Sequence, residues 1–285
     1  LDIASNDGTL LNFYNKDLIK IGIDPTIIKY RKFYKKIDHK ISDFFSKKKL
    51  INIIKNNKIK VISALSVFYD LKNPNKFLKE ISEIIHKQKG IFILEHTDLL
   101  SIIKNNLFDT ICHEHLAYYS AKVIMKMVNK NNLKVFDIST NQINGGSTRF
   151  YICHKDSNYT VKNKKIKKLI RNEEKFKLEK IATYKKFFKK ILNIRNNLNK
   201  KLSEIRKSGK IIHGYGASTK GNVLLQFFKI DDSVLDFIAD RNPLKVGSFT
   251  PGTKFNIKSE EHSRGLKPDY YLVLPWHFKL EILKR

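Results

Sequence analysis

Cysteine is scarce in this chain, which has only two cysteines, Cys112 and Cys153, among 285 residues. Two cysteines exclude both a disulfide framework and a four-cysteine zinc site. Such sparse use is typical of a reducing compartment, and we therefore expect a cytoplasmic protein. A stretch of about 18 apolar residues, which a membrane-spanning helix needs, is also lacking, so we expect no membrane partner.

Arginine is scarce as well, although the chain is strongly basic. Lysine and arginine number 56 against 27 aspartates and glutamates, a formal charge of +29, but only eight of the 56 are arginine. Proteins that read nucleic acids rely on arginine forks for base edges and phosphates. The interval 161–210 carries 16 Lys and 3 Arg against 4 Glu, about half of the surplus. We expect no specific nucleic-acid partner and keep a Lys-rich nucleic-acid-binding protein as an alternative.

Short β-rich runs alternate with helical patterns near both ends of the chain, which predicts an α/β fold with βαβ units and parallel sheets. Between about 158 and 208 there is neither proline nor glycine, and apolar residues recur at helical spacing, which predicts one or two long helices. We therefore expect a first domain over 1–154, a Lys-rich helical connector over 155–208, and a smaller Rossmann-like domain over 209–285.

The first motif is LDIASNDGTLL at 1–11 with IGIDP at 21–25. A strand followed by a turn of small residues lets backbone N–H groups approach a ligand, and Asp24 ends the next strand, where an acid binds ribose hydroxyls. Only Gly8 remains of G-x-G-x-x-G, which favours S-adenosylmethionine over NAD. Asp24 could instead cap the turn before Pro25, and Asp43 suits an adenine contact or a helix N-cap equally. The candidate cofactor residues are Asp2, Ser5, Asn6, Gly8, Asp24 and Asp43.

The second motif is DTICHEHLAYYS at 109–120, which places Cys, His, Glu and His in a row. The zinc pattern H-E-x-x-H fails because Ala117 stands at the second histidine position. A general base oriented by a neighbouring carboxylate fits better, because an imidazole titrates near neutral pH and can remove a moderately acidic C–H proton. The alternative is a buried polar turn that holds two domains together.

Two glycine-rich segments follow. In NQINGGSTRFYI, 141–152, Arg149 could face a phosphate, although an ordinary hairpin turn is at least as good an explanation. In GYGASTKGN, 214–222, a strand enters a glycine-rich loop and a helix. Lys220 then lies near a helix N-terminus, which suits a diphosphate, although the Walker A spacing is absent.

Taken together, these segments resemble the family of S-adenosylmethionine-dependent sugar C-methyltransferases, which methylate a carbon of a nucleotide-linked 4-keto-6-deoxy sugar. The matching segments occur in the family's order along nearly the whole chain: SNDGTLL, FYDL, FDTICHEHLAYYS, NGGSTRFY, GYGASTKGN, DRNPLKVGSFTPGT and LVLPWHF. The resemblance implies a class I methyltransferase domain that binds S-adenosylmethionine, followed by a smaller Rossmann-like domain that helps enclose the sugar nucleotide.

The resemblance also implies roles for individual residues. His115 matches the family's proposed base, Glu114 would orient its ring, and Tyr118 or Tyr119 would donate to the enolate oxygen. The expected substrate-binding residues are His113, Asn144, Gly146, Arg149, Lys220 and Asn222. A different target, an oxygen or nitrogen of a small molecule, stays open as an alternative that needs no C–H base.

The chain departs from the family pattern at three places. Cys112 stands where some relatives carry tyrosine, and Asp70 stands where relatives often carry histidine. Family members commonly begin with a small Cys-rich zinc-binding domain, whereas this chain starts at Leu1 inside a strand-like motif. We therefore expect that an N-terminal piece is missing and that the chain as given holds no metal.

Overall fold

The computed structural model describes residues 1–55 and 57–284. The chain divides into two compact units. The first unit consists of Leu1–Ile102 and His115–Glu179, and the second consists of Ile103–Glu114 and the chain from Lys180 onward. The predicted connector, 155–208, is therefore shared, because its earlier part belongs to the first unit and its later part to the second.

A seven-stranded sheet forms the centre of the first unit. Its strands are β1 (Asp2–Ile3), β2 (Ile21–Ile23), β3 (His39–Ile41), β4 (Val61–Leu65), β5 (Ile91–Thr97), β6 (Leu133–Asn141) and β7 (Ser147–His154). The strand order is β3-β2-β1-β4-β5-β7-β6, and all neighbours are parallel except the two pairs that involve β7. An antiparallel β7 inserted between β5 and β6 gives the class I methyltransferase topology, so the expected fold class is confirmed.

Helices cover the sheet of the first unit. They are α1 (Thr9–Asn12), α2 (Ile27–Tyr30), α3 (Lys47–Ile54), α4 (Pro74–Ile84), α5 (Leu99–Asn105), whose last three residues belong to the second unit, α6 (Ala121–Lys130) and α7 (Asn163–Phe176). The start of α4 shows why the sequence folds this way, since the Asn73 side chain accepts the N–H of Lys76 at 2.9 Å and Pro74 occupies the first turn. Parallel strands buried on both faces read as apolar runs, and Ile62, Phe92 and Leu94 are fully buried.

The second unit is built on a four-stranded parallel sheet with the order β10-β9-β8-β11. Its strands are β8 (Ile212–Tyr215), β9 (Ile238–Asp240), β10 (Ile257–Ser259) and β11 (Tyr270–Val273). Its helices are α8 (Ile181–Lys207), α9 (Thr219–Phe228), α10 (Glu260–Gly265) and α11 (Lys279–Ile282). The prediction of one or two long helices in the Lys-rich interval is confirmed by α7 and α8. No helix among the described residues has the length and apolar character needed to cross a membrane.

One buried carboxylate of the Lys-rich helix α7 fixes the start of α6. Glu173 is 4% exposed, and its two oxygens accept the N–H groups of Ala121 at 2.5 Å and Lys122 at 3.0 Å. Ser120, the N-cap of α6, accepts the N–H of Val123 at 3.3 Å. These bonds satisfy N–H groups that have no partner within the helix, and a carboxylate at this end also suits the helix dipole.

We expect Glu173→Ala to lower the free energy of unfolding by about 1–3 kcal/mol, because two N–H groups at the start of α6 lose their acceptor. The matched control is Glu174→Ala, which changes an exposed side chain of the same helix and should stay within about 0.5 kcal/mol of wild type. Urea unfolding followed by circular dichroism measures both. Equal stabilities of the two variants would contradict the capping role.

Candidate functional site

The turn after β1 is the first part of the candidate site. Ala4, Asn6 and Gly8 all have left-handed backbone conformations, with φ of 59°, 49° and 77°. A Cβ on Gly8 would lie 2.9 Å from Cδ1 of Ile37, so both its φ and its packing require glycine. The non-glycine residue Ala4 adopts this conformation at an energetic cost, which is common at sites that bind ligands.

Tyr34, a residue that the sequence did not single out, stabilises this turn through a hydrogen bond. Tyr34 is fully buried, and its hydroxyl donates to the carbonyl of Asn6 at 2.8 Å. A carbonyl can only accept, so the Ser5 hydroxyl is the donor in the 2.8 Å contact between Ser5 and Tyr34. Burial raises the pKa of Tyr34 to about 12, which keeps the phenol protonated. The hydroxyl proton of Ser5 is therefore engaged in the hydrogen bond to Tyr34.

Asp24 follows β2 and contacts the same turn. It is 7% exposed, its Oδ2 accepts the N–H of Asn6 at 3.1 Å, and its Oδ1 accepts the N–H and hydroxyl of Thr26 at 2.7 and 2.5 Å. The capping of the turn around Pro25, which the sequence left open, is thus present. A carboxylate offers about four acceptor positions, so three bonds leave one position on Oδ2 for a ligand hydroxyl.

The two other acidic candidates differ in burial. Asp2 is 4% exposed and accepts the Ser63 hydroxyl at 2.6 Å, and burial raises its pKa to about 6. Asp43 is half-exposed and forms an ion pair with Lys49, whose hydrogen bond lowers the pKa of the Asp43 carboxyl. The structure therefore brings Asp24 to the β1 turn and holds Asp43 beside a lysine at the surface.

The ring of His115, the predicted base, packs against the ring of Tyr69. The two ring centroids are 4.2 Å apart, and the ring of Tyr118 lies 6.4 Å from that of His115. The carbonyl of Tyr69 accepts the N–H groups of Leu116 at 2.9 Å and Ala117 at 3.2 Å. These bonds attach the segment after His115 to the turn that follows β4. Tyr69 is a second residue that the sequence analysis missed.

The remaining residues of the second motif lie in different surroundings. Tyr119 is 9% exposed, its ring lies 5.2 Å from that of Phe68, and burial raises its pKa. His113 and Glu114 are exposed and belong to the second unit, whose earlier segment ends at Glu114. Of the two tyrosines proposed as donors, Tyr118 is the less buried.

Residues 142–146 connect β6 with β7, so the NGG part of the NGGSTR segment lies in this connection and the STR part begins β7. Asn144 has φ of 57° and Gly146 has φ of 137°, as a tight turn between antiparallel strands requires. Arg149 lies on β7 opposite Glu95 on β5, and its Nε donates to Oε2 of Glu95 at 2.6 Å. The guanidinium of Arg149 is therefore already paired with a buried carboxylate.

In the second unit, Lys220 and Asn222 lie in the first turn of α9. Ser218 caps this helix by accepting the N–H of Gly221 at 3.0 Å. The side-chain oxygen of Asn222 is buried and has no hydrogen-bond partner within residues 1–55 and 57–284. Burial lowers the pKa of Lys220, while the charges of Asp109 and Cys112 oppose this change.

Three residues near Lys220 were missed by the sequence analysis, although two of the quoted motifs contain them. Asp109 is 1% exposed and accepts the indole N–H of Trp276 at 3.1 Å, and Nδ1 of His277 lies 4.0 Å from the same carboxylate oxygen. Burial raises the pKa of Asp109. Burial and the charge of Lys220 together lower the pKa of His277 to about 4, so this imidazole is neutral. No group of three potential metal ligands occurs in the part of the chain that the structure describes.

Comparison with known proteins identifies relatives of this chain. The C-methyltransferase NovU of Streptomyces niveus is 28% identical over 224 residues, which are 79% of this chain and 53% of NovU. The chain thus spans about half the length of this curated relative.

Solved structures overlap with this chain over 54% of its length. The mitomycin 7-O-methyltransferase MmcR is 12% identical with a TM-score of 0.41 over 48% of its own chain. The plantazolicin methyltransferase BpumL, solved with a desmethylPZN analog and SAH, is 14% identical with a TM-score of 0.40 over 75% of its chain.

The strongest assignment comes from the C-terminal part. The family model described as the C-methyltransferase C-terminal domain matches residues 142–285, about half of the chain. The chain belongs to this C-methyltransferase family, as the ordered motifs predicted.

Proposed function

We propose that this chain carries the S-adenosylmethionine-binding and C-terminal domains of an enzyme that methylates a carbon of a nucleotide-linked keto-deoxy sugar. Its membership of a C-methyltransferase family supports carbon as the target. The observation that carries the proposal is the buried carboxylate of Asp24 beside the left-handed turn from Ala4 to Gly8, at the carboxyl ends of β1 and β2. Ligands of open α/β sheets bind at this edge.

The residues of the β1 turn suit S-adenosylmethionine. Asp24 keeps one acceptor position on Oδ2 for a ribose hydroxyl, and the bonds from Asn6 and Thr26 fix the direction of its carboxylate. When bound, S-adenosylmethionine supplies a sulfonium methyl group that a carbon nucleophile can attack without acid catalysis, because the sulfur leaves as a neutral thioether. The protein's own contribution is therefore to position the two reactants and to remove a proton from carbon.

His115 is the residue proposed to remove that proton. A keto group acidifies the adjacent C–H bond, so an imidazole is a sufficient base, and the electron pair of the broken C–H bond then delocalises onto the keto oxygen. Contact with Tyr69 restricts the His115 ring, and the half-buried Tyr118 is the proposed donor to the developing oxyanion. Glu114, next to His115 in sequence, is proposed to orient its ring.

The second unit supplies groups for the anionic part of the substrate. Lys220 lies in the first turn of α9, a helix of ten residues, where a cation and unpaired backbone N–H groups favour a diphosphate. The unpartnered side-chain oxygen of Asn222 is an acceptor for a donor group of the ligand. We propose His113, Asn144, Gly146 and Arg149 as further substrate contacts from the family resemblance.

Asp24→Asn should weaken binding of S-adenosylhomocysteine by about 10- to 100-fold, because a hydrogen bond to a charged acceptor is lost. Isothermal titration calorimetry measures the affinity, and Asp17→Asn, at an exposed position, is the matched control. Asp43→Asn separates an adenine contact, which would lower the affinity, from the Lys49 ion pair alone, which would not. Wild-type affinity in Asp24→Asn would refute the ribose contact.

His115→Asn tests the carbon-methylation chemistry. With a dTDP-4-keto-6-deoxy sugar and no methyl donor, the wild-type protein should exchange deuterium into the carbon next to the ketone. His115→Asn should slow this exchange by about 10²- to 10⁴-fold, the usual contribution of a general base. Mass spectrometry measures the exchange, and the exposed His262→Asn is the control. Methylation at the wild-type rate by His115→Asn would instead favour an oxygen or nitrogen target.

Lys220→Met should weaken binding of dTDP about tenfold or more, because a charged hydrogen bond to the diphosphate is lost. Lys229→Met changes an exposed lysine at the other end of α9 and should leave the affinity unchanged. Because burial lowers the pKa of Lys220, the wild-type affinity should begin to fall at a lower pH than an exposed lysine would give. A pH series of calorimetric titrations checks this, and an identical pH profile in Lys220→Met would count against the assignment.

A further inference from the structure

A buried histidine of the first unit, His96, shares a neighbouring aromatic ring with the proposed base, and the proposed function gives it no role. His96 is the second-last residue of β5 and is 1% exposed. Its ring stacks with those of Phe68 and Phe150 at centroid distances of 6.5 and 5.9 Å. The rings of Tyr69 and Tyr119 meet it edge to face at 6.5 and 6.0 Å. Four aromatic side chains therefore surround this imidazole.

The hydrogen bond of one ring nitrogen fixes the state of His96. Its Nδ1 lies 3.0 Å from the carbonyl of Thr97, and because a carbonyl only accepts, the proton is on Nδ1. Burial lowers the pKa of His96, which the charges of Asp98 and Glu95 only partly offset, so the ring is neutral. The Nε2 atom consequently presents a lone pair, and it is buried without a hydrogen-bond partner among the described residues.

An unpartnered acceptor in such a place is unfavourable for folding. A buried polar atom that loses its hydrogen bonds to water destabilises the folded state unless a protein group replaces them. An apolar side chain in the same aromatic surroundings would avoid this loss. Polar groups that reduce stability in this way are characteristic of sites where function requires them.

The position of His96 connects it with the proposed active site. The centroid of the Tyr69 ring lies 6.5 Å from that of His96 and 4.2 Å from that of His115. Both imidazoles therefore pack against one phenol ring. Tyr119, on another side of His96, directly follows the proposed donor Tyr118 in sequence.

We propose that His96 is a further functional residue of this site, whose Nε2 accepts a hydrogen bond from an O–H group that enters with the substrate. The donor is a hydroxyl of the sugar or a water molecule that is held with the nucleotide. Because His96 is enclosed, the ring of Tyr69 or Tyr119 turns aside when the ligand binds, a side-chain adjustment that is common at binding surfaces. This inference rests on the proposed function, because it takes the sugar nucleotide as the ligand.

The first test uses the protein without ligand. In ¹⁵N NMR spectra, His96 should show a protonated Nδ1 and an Nε2 without a proton. The better of His96→Phe and His96→Leu should melt at or up to about 4 °C above wild type, because the unpartnered acceptor is gone. The control is His213→Phe, which should melt lower, because His213 is equally buried but its Nδ1 bonds to the Ser263 hydroxyl at 2.8 Å. A protonated Nε2, or melting below wild type in both His96 variants, would overturn the inference.

The second test adds ligands. The ¹⁵N signal of Nε2 should move to the position of a hydrogen-bonded acceptor when S-adenosylhomocysteine and a dTDP-4-keto-6-deoxy sugar are both bound. The same change with S-adenosylhomocysteine and dTDP alone would identify water as the donor, and a change that needs the sugar would identify the sugar hydroxyl. The stable His96 variant should lose about tenfold in kcat.

Failure of this inference and failure of the proposed function give different results. If calorimetry shows that both ligands bind while the Nε2 signal and kcat of the variant stay at their original values, the role of His96 is wrong and the proposed function stands. If neither ligand binds, the proposed function is wrong and the inference falls with it.

Discussion

The parallel pairing of β1 with β2 and β4, and of β4 with β5, determines where chemistry can occur in the first unit. Parallel strands end at one edge of a sheet, so residues far apart in sequence follow one another along that edge. The β1 turn, Asp24, Tyr69 and His96 each lie at or just beyond the carboxyl end of a different strand. The arrangement of these residues is therefore a consequence of the strand order, and they need no proximity in sequence.

Polar groups at this edge are oriented by bonds to one another. Asp24 accepts three hydrogen bonds from Asn6 and Thr26, and Tyr34 holds the turn that contains Asn6. Side chains fixed in this way lose little conformational entropy when a ligand binds, which is the physical basis of preorganisation. His96 differs from these residues, because its Nδ1 bonds to the carbonyl of Thr97 while its Nε2 is buried with no hydrogen-bond partner in the described part of the chain.

Local patterns predicted the α/β fold, the long helices and the motifs, because strand alternation, helical spacing and glycine turns each depend on neighbouring residues. Tyr34 and Asp109 could not be found this way, since each acts through a distant partner. The bond between Asp109 and Trp276 joins residues 167 positions apart. Glu173 could not be identified either, because its neighbours in the Lys-rich helix are the charged residues expected on a solvent-exposed helix face. Local patterns encode the burial of apolar residues but not that of polar side chains, and burial of a polar group distinguishes these three residues.

The second unit is formed by two segments that are separated in the sequence, and its core contains residues of both. Phe108, from the segment Ile103–Glu114, belongs to the core of this unit and stacks on Phe228 at 5.3 Å. The neighbouring Asp109 accepts a bond from Trp276. A fragment over the predicted domain 209–285 would lack both residues, and it would expose the aromatic face of α9 and leave the Trp276 indole without its acceptor. The folding of the C-terminal domain therefore depends on a segment that immediately precedes His115, so one stretch of sequence serves both the core of this unit and the proposed catalytic motif.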